Sequence, residues 1–168
     1  MEMYTLWRNV GAFLLSFGLF TSCSTPSEES TPSRSEDREA IHSVLNTFHK
    51  AASRADSKTY FGSLAGDSAI FIGTDDTERW NTQQFKKWSE PYFIKDNGWT
   101  FVPVERFIGF YENTAWVDEK LDSQHQGRCR GTAILLFQNG QWKITHYTLS
   151  LSVPNEKFDE VFTILHSD

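Results

Sequence analysis

The sequence predicts an α+β domain, with helices first and an antiparallel sheet after them. Three observations predict it. Ile41, Val44, Leu45, Phe48 and Ala52 fall at i, i+3, i+4, i+7 and i+11, which is one face of an α-helix. From Trp99 onward the pattern changes to four long segments rich in β-branched and aromatic residues. Between the last two of these stands Asn139-Gly140, the strongest two-residue signal for a β-hairpin. Helices followed by an antiparallel meander form an α+β architecture.

The elements follow in order. A first helix opens near Ser35, where Ser33 and Glu36 have the spacing of a capping box. Asp56 or Ser57 caps a second, short helix running through Leu64, with Gly66 as its C-cap. Residues 68–73 form a short strand between turn residues. Asn81, with Gln84 three residues later, caps a third helix carrying Phe85, Trp88 and Tyr92, which Pro91 should kink or end. Residues 99–111, 114–123, 128–138 and 141–153 read as strands, with a looser hairpin loop at 124–127. Pro154-Asn155 starts a last helix with Phe158, Val161, Phe162 and Leu165 on one side.

The N-terminus reads as an address. An apolar run from 10 to 20 is about eleven residues, too short to span a bilayer and of the right length for a signal-peptide core. Thr21, Ser22 and Cys23 follow, an ending that resembles a bacterial lipobox, although Phe20 stands where Leu is usual. Residues 1–22 are therefore expected to be a lipoprotein signal peptide. Residues 23–35 are a lipidated Cys23 and a flexible tether without a large apolar residue, and 36–168 are the folded domain. The expected location is the bacterial cell envelope. Ser24, rather than Asp, favours the outer membrane.

Composition narrows the function classes. The 168 residues suffice for one domain, and 22 acidic against 16 basic residues give a net charge of −6. Such a chain lacks the positive field of a general nucleic-acid binder, so no nucleic-acid partner is expected. Aromatics make up 15%, with 14 Phe and six Trp, which suggests a wide core or a pocket lined with rings. Cys23 and Cys129 are the two cysteines; they build neither a disulfide framework nor a cysteine zinc cluster. The five histidines show no metal-ligand spacing, Asp75-Asp76 reads as a solvated turn, and phosphate-loop and nucleophile-elbow motifs are absent. No metal and no cofactor is expected.

Strand parity gives candidate site residues. A two-residue turn at Asn139-Gly140 pairs Phe137 with Trp142, Leu135 with Ile144 and Ala133 with His146. On that register His146, Thr148, Gly131 and Cys129 point inward, and Glu119 shares the inner face through Val117 and Leu121. Small Gly131 and Ala133 then leave space over the sheet. Glu119 and His146 are the candidate acid/base pair. Buried His and Glu are more often structural than catalytic, so the alternative is a structural pair, satisfied by Arg79 or a backbone group. Trp80, Trp88, Tyr92 and Trp99 are candidate mouth residues, with core packing as the alternative for each. The outer face, with Trp116, Ile134, Leu136, Tyr147 and Leu149 among its residues, is apolar for a solvated sheet, which points to a homodimer through that face.

Glu78-Arg79-Trp80, Ala115 to Glu119, Arg130-Gly131-Thr132, Trp142 to Tyr147 and Val153 to Glu156 together resemble the SnoaL-like branch of the nuclear-transport-factor-2-like superfamily, over about residues 36–163. The resemblance implies a cone: N-terminal helices packed on a strongly curved, mainly antiparallel sheet, a C-terminal helix, an enclosed pocket and frequent dimerisation. That superfamily holds acid/base enzymes and pure binders alike, so fold alone does not choose. The favoured expectation is a domain that binds a small, largely apolar molecule, with Arg79, Trp80, Trp88, Tyr92, Trp99 and Gly131 at the ligand. The alternatives are an isomerase, dehydratase or hydrolase using Glu119 and His146, or a non-catalytic protein-interaction module.

Overall fold

The computed structural model describes residues 34–95 and 97–167. The expected signal peptide, Cys23, the tether up to residue 33 and the capping Ser33 lie outside the described residues.

Helix α1 (Arg34–Ser53) buries Ile41, Leu45, Phe48 and Ala52, the face marked by their spacing, and adds His49 and Asp37 to it. Helix α2 (Ser57–Gly62) starts at Asp56, whose carboxylate accepts the Thr59 N–H at 3.1 Å. It stops at Ser63, before Gly66 is reached; Gly66 takes its positive φ in the turn beyond. Strand β1 (Ile70–Ile72) is followed by β2 (Arg79–Asn81), a strand the sequence pattern did not reveal because Arg79-Trp80-Asn81 lacks the apolar run that marks β1. Helix α3 (Thr82–Ile94) opens with the expected reciprocal box: Gln84 N–H donates to Asn81 Oδ1 and Asn81 N–H to Gln84 Oε1, both at 2.9 Å. Pro91 does not end α3. So near the C-terminus it forfeits one intrahelical bond, and buried Phe93 keeps the last turn packed.

Strands β3 (Val102–Tyr111), β4 (Thr114–Ser123), β5 (Gly127–Gln138) and β6 (Gln141–Leu151) form the meander. The six-stranded curved sheet runs β2-β1-β6-β5-β4-β3, antiparallel except where β1 lies parallel to β6. Asn139 and Gly140 have φ of 51° and 74°, as the tight hairpin turn requires. The helices cover the inner face, where Ile41, Leu45, Val117, Leu135 and Ile144 are sealed from solvent.

The β5–β6 register departs from the simple hairpin. Phe137 pairs with Trp142 and Leu135 with Ile144, but Ile134 then pairs with His146 and Ala133 with Tyr147. Thr145 is the extra residue of a β-bulge. Because side chains alternate with period two, one inserted residue inverts every later one. Tyr147 and Leu149 therefore face the core, and His146 and Thr148 turn to the outer face. The bulge falls where β6 changes neighbours. Before it, Ile144 bonds Ser63 and Ala65 on the helical side; beyond it, β1 begins, with Ile70 opposite His146.

Cys129 lies inward near the start of β5, fully buried, with its Sγ 3.8 Å from the Gly127 carbonyl oxygen; burial, and then the Asp122 charge, raise its thiol pKa. At the C-terminus a 3-10 turn (Asn155–Lys157) leads into α4 (Phe158–Leu165), whose apolar Phe158, Phe162 and Leu165 are each more than half exposed.

The start of α1 is pinned to β6 through Asp37, whose carboxylate accepts the Trp142 indole N–H at 2.8 Å and the Arg34 guanidinium at 3.4 Å. Trp142→Phe removes one donor from a nearly buried carboxylate. The expected cost is about 1–3 kcal/mol, read as a lower urea midpoint with unchanged slope.

Candidate functional site

The inner face carries one sealed carboxylate, Glu119, 1% exposed. Strand register sets its surroundings. On β3 its direct neighbour is Arg106, and on β5 it is Gly131. Arg106 Nε and Nη2 both donate to Glu119 Oε2, at 2.9 and 2.5 Å, while Nη1 reaches His42 Nδ1 at 3.0 Å and Asn46 Oδ1 at 3.2 Å on α1. From α1, His49 Nε2 lies 3.0 Å from Glu119 Oε1; a carboxylate only accepts, so the ring proton sits on Nε2. From β6, the Tyr147 hydroxyl donates to the same oxygen at 3.3 Å.

Burial pushes the Glu119 pKa up. The His49 hydrogen bond and charge, and then Arg106, outweigh it and hold the carboxyl below the ordinary glutamate value. Burial first, and the Glu119 charge second, drive the Tyr147 hydroxyl well above its ordinary value, so it stays a donor. Every buried side-chain nitrogen and oxygen among the described residues has a hydrogen-bond partner.

Beside this cluster lies a pocket of about 380 Å³. His49 and Tyr147 line its inner end, so two of the groups that hold Glu119 also face the cavity. With Nε2 committed to Glu119, the other ring nitrogen of His49 is Nδ1, which bonds no other described residue. One wall is a run of nearly parallel rings. Phe71 and Phe85 stand 4.4 Å apart at 22°, Trp80 and Phe85 5.2 Å at 21°, and Phe85 and Trp88 5.6 Å at 17°. Trp99 joins this wall 6.0 Å from Phe85, and exposed His125 and Gln126 from the β4–β5 loop stand at the rim.

The structure separates the residues expected at the site. Trp80, Trp88 and Trp99 line the pocket; Tyr92 sits next to it, on Trp88 and Trp99, with 40% exposure. Glu119 is inside, behind His49 and Tyr147. His146 is not with it: the bulge turns it outward, where its Nε2 lies 3.2 Å from Thr148 Oγ1. Arg79 is exposed on β2 and does not reach Glu119, since Arg106 already fills that place from the neighbouring strand. Gly131 leaves no room for a ligand, because the Tyr147 hydroxyl occupies the position its Cβ would take.

Sequence reasoning missed His49, Arg106 and Tyr147. His49 carried a usable signal: it is eight residues beyond Ile41 and so belongs to the same helical face. Arg106 carried one too: from the Tyr111–Thr114 pair at the hairpin end the β3–β4 register runs unbroken to Arg106, which falls opposite inward Glu119. Tyr147 carried none, because its direction depends on the irregularity at Ile134/Leu135.

A family model described as a SnoaL-like domain matches residues 41–155. No curated protein sequence matches the chain. Among solved structures, an NTF2-like protein of unknown function from Pseudomonas putida is similar with TM-score 0.60 and 15% identity, over 76% of this chain and 94% of that one. Another, from Shewanella baltica, gives 0.54 and 16%, over 74% and 100%. A protein of unknown function with a cystatin-like fold from Nostoc punctiforme gives 0.60 and 12%, over 73% and 96%. At these identities the likeness is one of fold.

Two outcomes follow from the cluster. Gly131→Ala drives a methyl group into the Tyr147 hydroxyl and is expected to cost about 1–3 kcal/mol in chemical unfolding. Glu119→Gln strands Arg106 and is expected to cost about 3–5 kcal/mol at pH 7. Its pH profile is the sharper measurement. A depressed folded pKa contributes stability that is complete above the ordinary value of 4.5 and is lost as pH falls through the folded value. The unfolding midpoint of the wild type should therefore fall more steeply below pH 4.5 than that of Glu119→Gln; parallel profiles would show that Glu119 is not held as an ion.

Proposed function

Because the chain belongs to the SnoaL-like domain family, we propose that it binds a small, largely apolar molecule in the ring-lined pocket, with His49 facing the inner end of the ligand. One observation carries this reading. The cavity of about 380 Å³ is walled by aligned aromatic rings and meets few polar groups at its inner end. Small-molecule sites have that composition: apolar walls for affinity and a few placed polar groups for orientation.

His49 also favours a second reading, acid/base catalysis, with the roles moved from His146 to His49. Its Nε2 is oriented by Glu119 while the ring faces the cavity, which is the arrangement of a base and its orienting carboxylate. The envelope placement expected from the sequence belongs to the proposal as well: lipid on Cys23, a tether to residue 35, and the domain held clear of the membrane. So does pairing of two copies across the outer sheet face. Tyr147 and Leu149 have left that face, and exposed Phe107, Trp116 and Ile134 remain on it.

N-phenyl-1-naphthylamine, an uncharged probe that fluoresces in apolar sites, tests the binding reading on the full-length protein. Saturable binding is expected. Trp88→Ala, a half-exposed position whose loss spares the core, should weaken it about tenfold with the melting temperature unchanged. Absence of saturable binding overturns the proposal. On the catalytic reading His49→Gln should keep binding and lose turnover of any substrate found; on the binding reading it should change affinity alone, with no turnover in either protein.

A further inference from the structure

The pocket is one-sided in charge. Among the described residues that line it, Glu78 is the one acid, and neither lysine nor arginine contributes. The other ionisable side chains there are His49, His125, Tyr60 and Tyr147, and both tyrosine hydroxyls are held above their ordinary range by burial. Glu119, one layer further in, already has Arg106 as its counter-charge. A ligand entering the mouth therefore meets a single uncompensated charge, and it is negative.

Glu78 is placed there by its loop. The turn between β1 and β2 closes on itself: Gly73 N–H donates to the Glu78 carbonyl oxygen at 2.9 Å, and Glu78 N–H to the Asp75 carbonyl oxygen at 3.0 Å. Asp75 N–H then holds Glu78 Oε2 at 3.2 Å. The carboxylate lies over Gly73, in the space a Cβ would fill, so glycine at 73 is what allows this close approach. Gly73 and Glu78 both line the pocket, and Glu78 Oε1 bonds no other described residue. Two residues further on, Trp80 pairs across to Phe71 and begins the indole cluster, with Trp88 4.8 Å from it and Trp99 6.2 Å from Trp88.

A carboxylate held beside several indole rings is a cation site in chemical terms. The face of an indole carries negative potential and attracts a cation within about 6 Å, most strongly where water is partly excluded. The same surroundings repel an anion. We propose that the ligand of this pocket is an organic cation, an alkyl- or aryl-ammonium, whose apolar body lies along the Phe71–Phe85 wall and whose charged nitrogen sits at the mouth between Glu78 and the indoles. This rests on the small-molecule reading of the same pocket and names the class of ligand.

A matched set of probes on the full-length protein tests it, at pH 8, above the ordinary histidine range. Phenyltrimethylammonium and tert-butylbenzene have nearly the same shape and differ in charge; benzenesulfonate supplies the anion. Affinity is read from tryptophan quenching. The cation should bind about tenfold more tightly than tert-butylbenzene, and benzenesulfonate should not bind. Glu78→Gln should reduce the preference to about twofold, leave tert-butylbenzene unchanged, and abolish the salt dependence of cation binding. Gly73→Ala, which displaces the carboxylate without removing it, should act in the same direction. Equal or better binding of tert-butylbenzene, any binding of benzenesulfonate, or an intact preference in Glu78→Gln overturns the proposal. If N-phenyl-1-naphthylamine binds and the cation preference is missing, the ligand class is wrong and the binding reading stands. If neither probe binds, both fall.

Discussion

A carboxylate removed from water must be matched by donors and positive charge, and the way Glu119 is matched organises the domain. Its partners come from three directions: Arg106 from the neighbouring strand, His49 from the helix above and Tyr147 from two strands away. No pair of these elements suffices. Arg106 spends its remaining donors on His42 and Asn46, so one guanidinium fixes α1 over β3 as well as answering the charge. Isolated ion pairs in the interior are weak evidence for stability, because desolvation offsets most of the attraction. Here the distinctive contribution is geometric. This seating of α1 on the sheet satisfies all of these donors together, and it sets the inner end of the pocket where His49 and Tyr147 meet the cavity.

Much of this was legible in the sequence, and what was hidden had a common cause. The α1 face, both helix caps at Asp56 and Asn81, the meander and the Asn139-Gly140 turn all follow from local rules, and the structure keeps them. Glu119 was correctly turned inward because β4 has no irregularity between Val117 and Leu121. His146 was turned the wrong way because parity was carried through Thr145, where the strand gains a residue. A bulge is a tertiary event: β6 exchanges its contact with the Leu64 segment for β1 at that point, and nothing in the local string of residues announces the exchange. The same error concealed Tyr147 and gave Gly131 a ligand it has no space for. Short β2 was silent for a different reason: unlike the equally short β1, it has no apolar run, only Trp80 between Arg79 and Asn81.

The aromatic excess divides between two duties. Phe48 and Tyr60, stacked 4.3 Å apart, belong to the core that joins α1 to α2, and Phe71 and Phe85 join β1 to α3. Trp80 and Trp88 continue that stack out to the rim, so the wall of the pocket is the edge of the core left uncovered. Affinity and folding thus draw on the same contiguous rings. It follows that the outermost members, half-exposed, are the ones free to vary with the ligand, while Phe71 and Phe85 are committed to the fold.

Cys129 gives the domain a property of another kind. Its sulfur is sealed at the start of β5, beside the hairpin that forms part of the pocket rim, and burial keeps it in the unreactive thiol form. An alkylating reagent reaches it only when the β4–β5 hairpin parts from the inner layer. The chain therefore carries its own chemical clock for opening of the cone, in which the labelling rate of one sulfur counts excursions that a static cavity volume does not record.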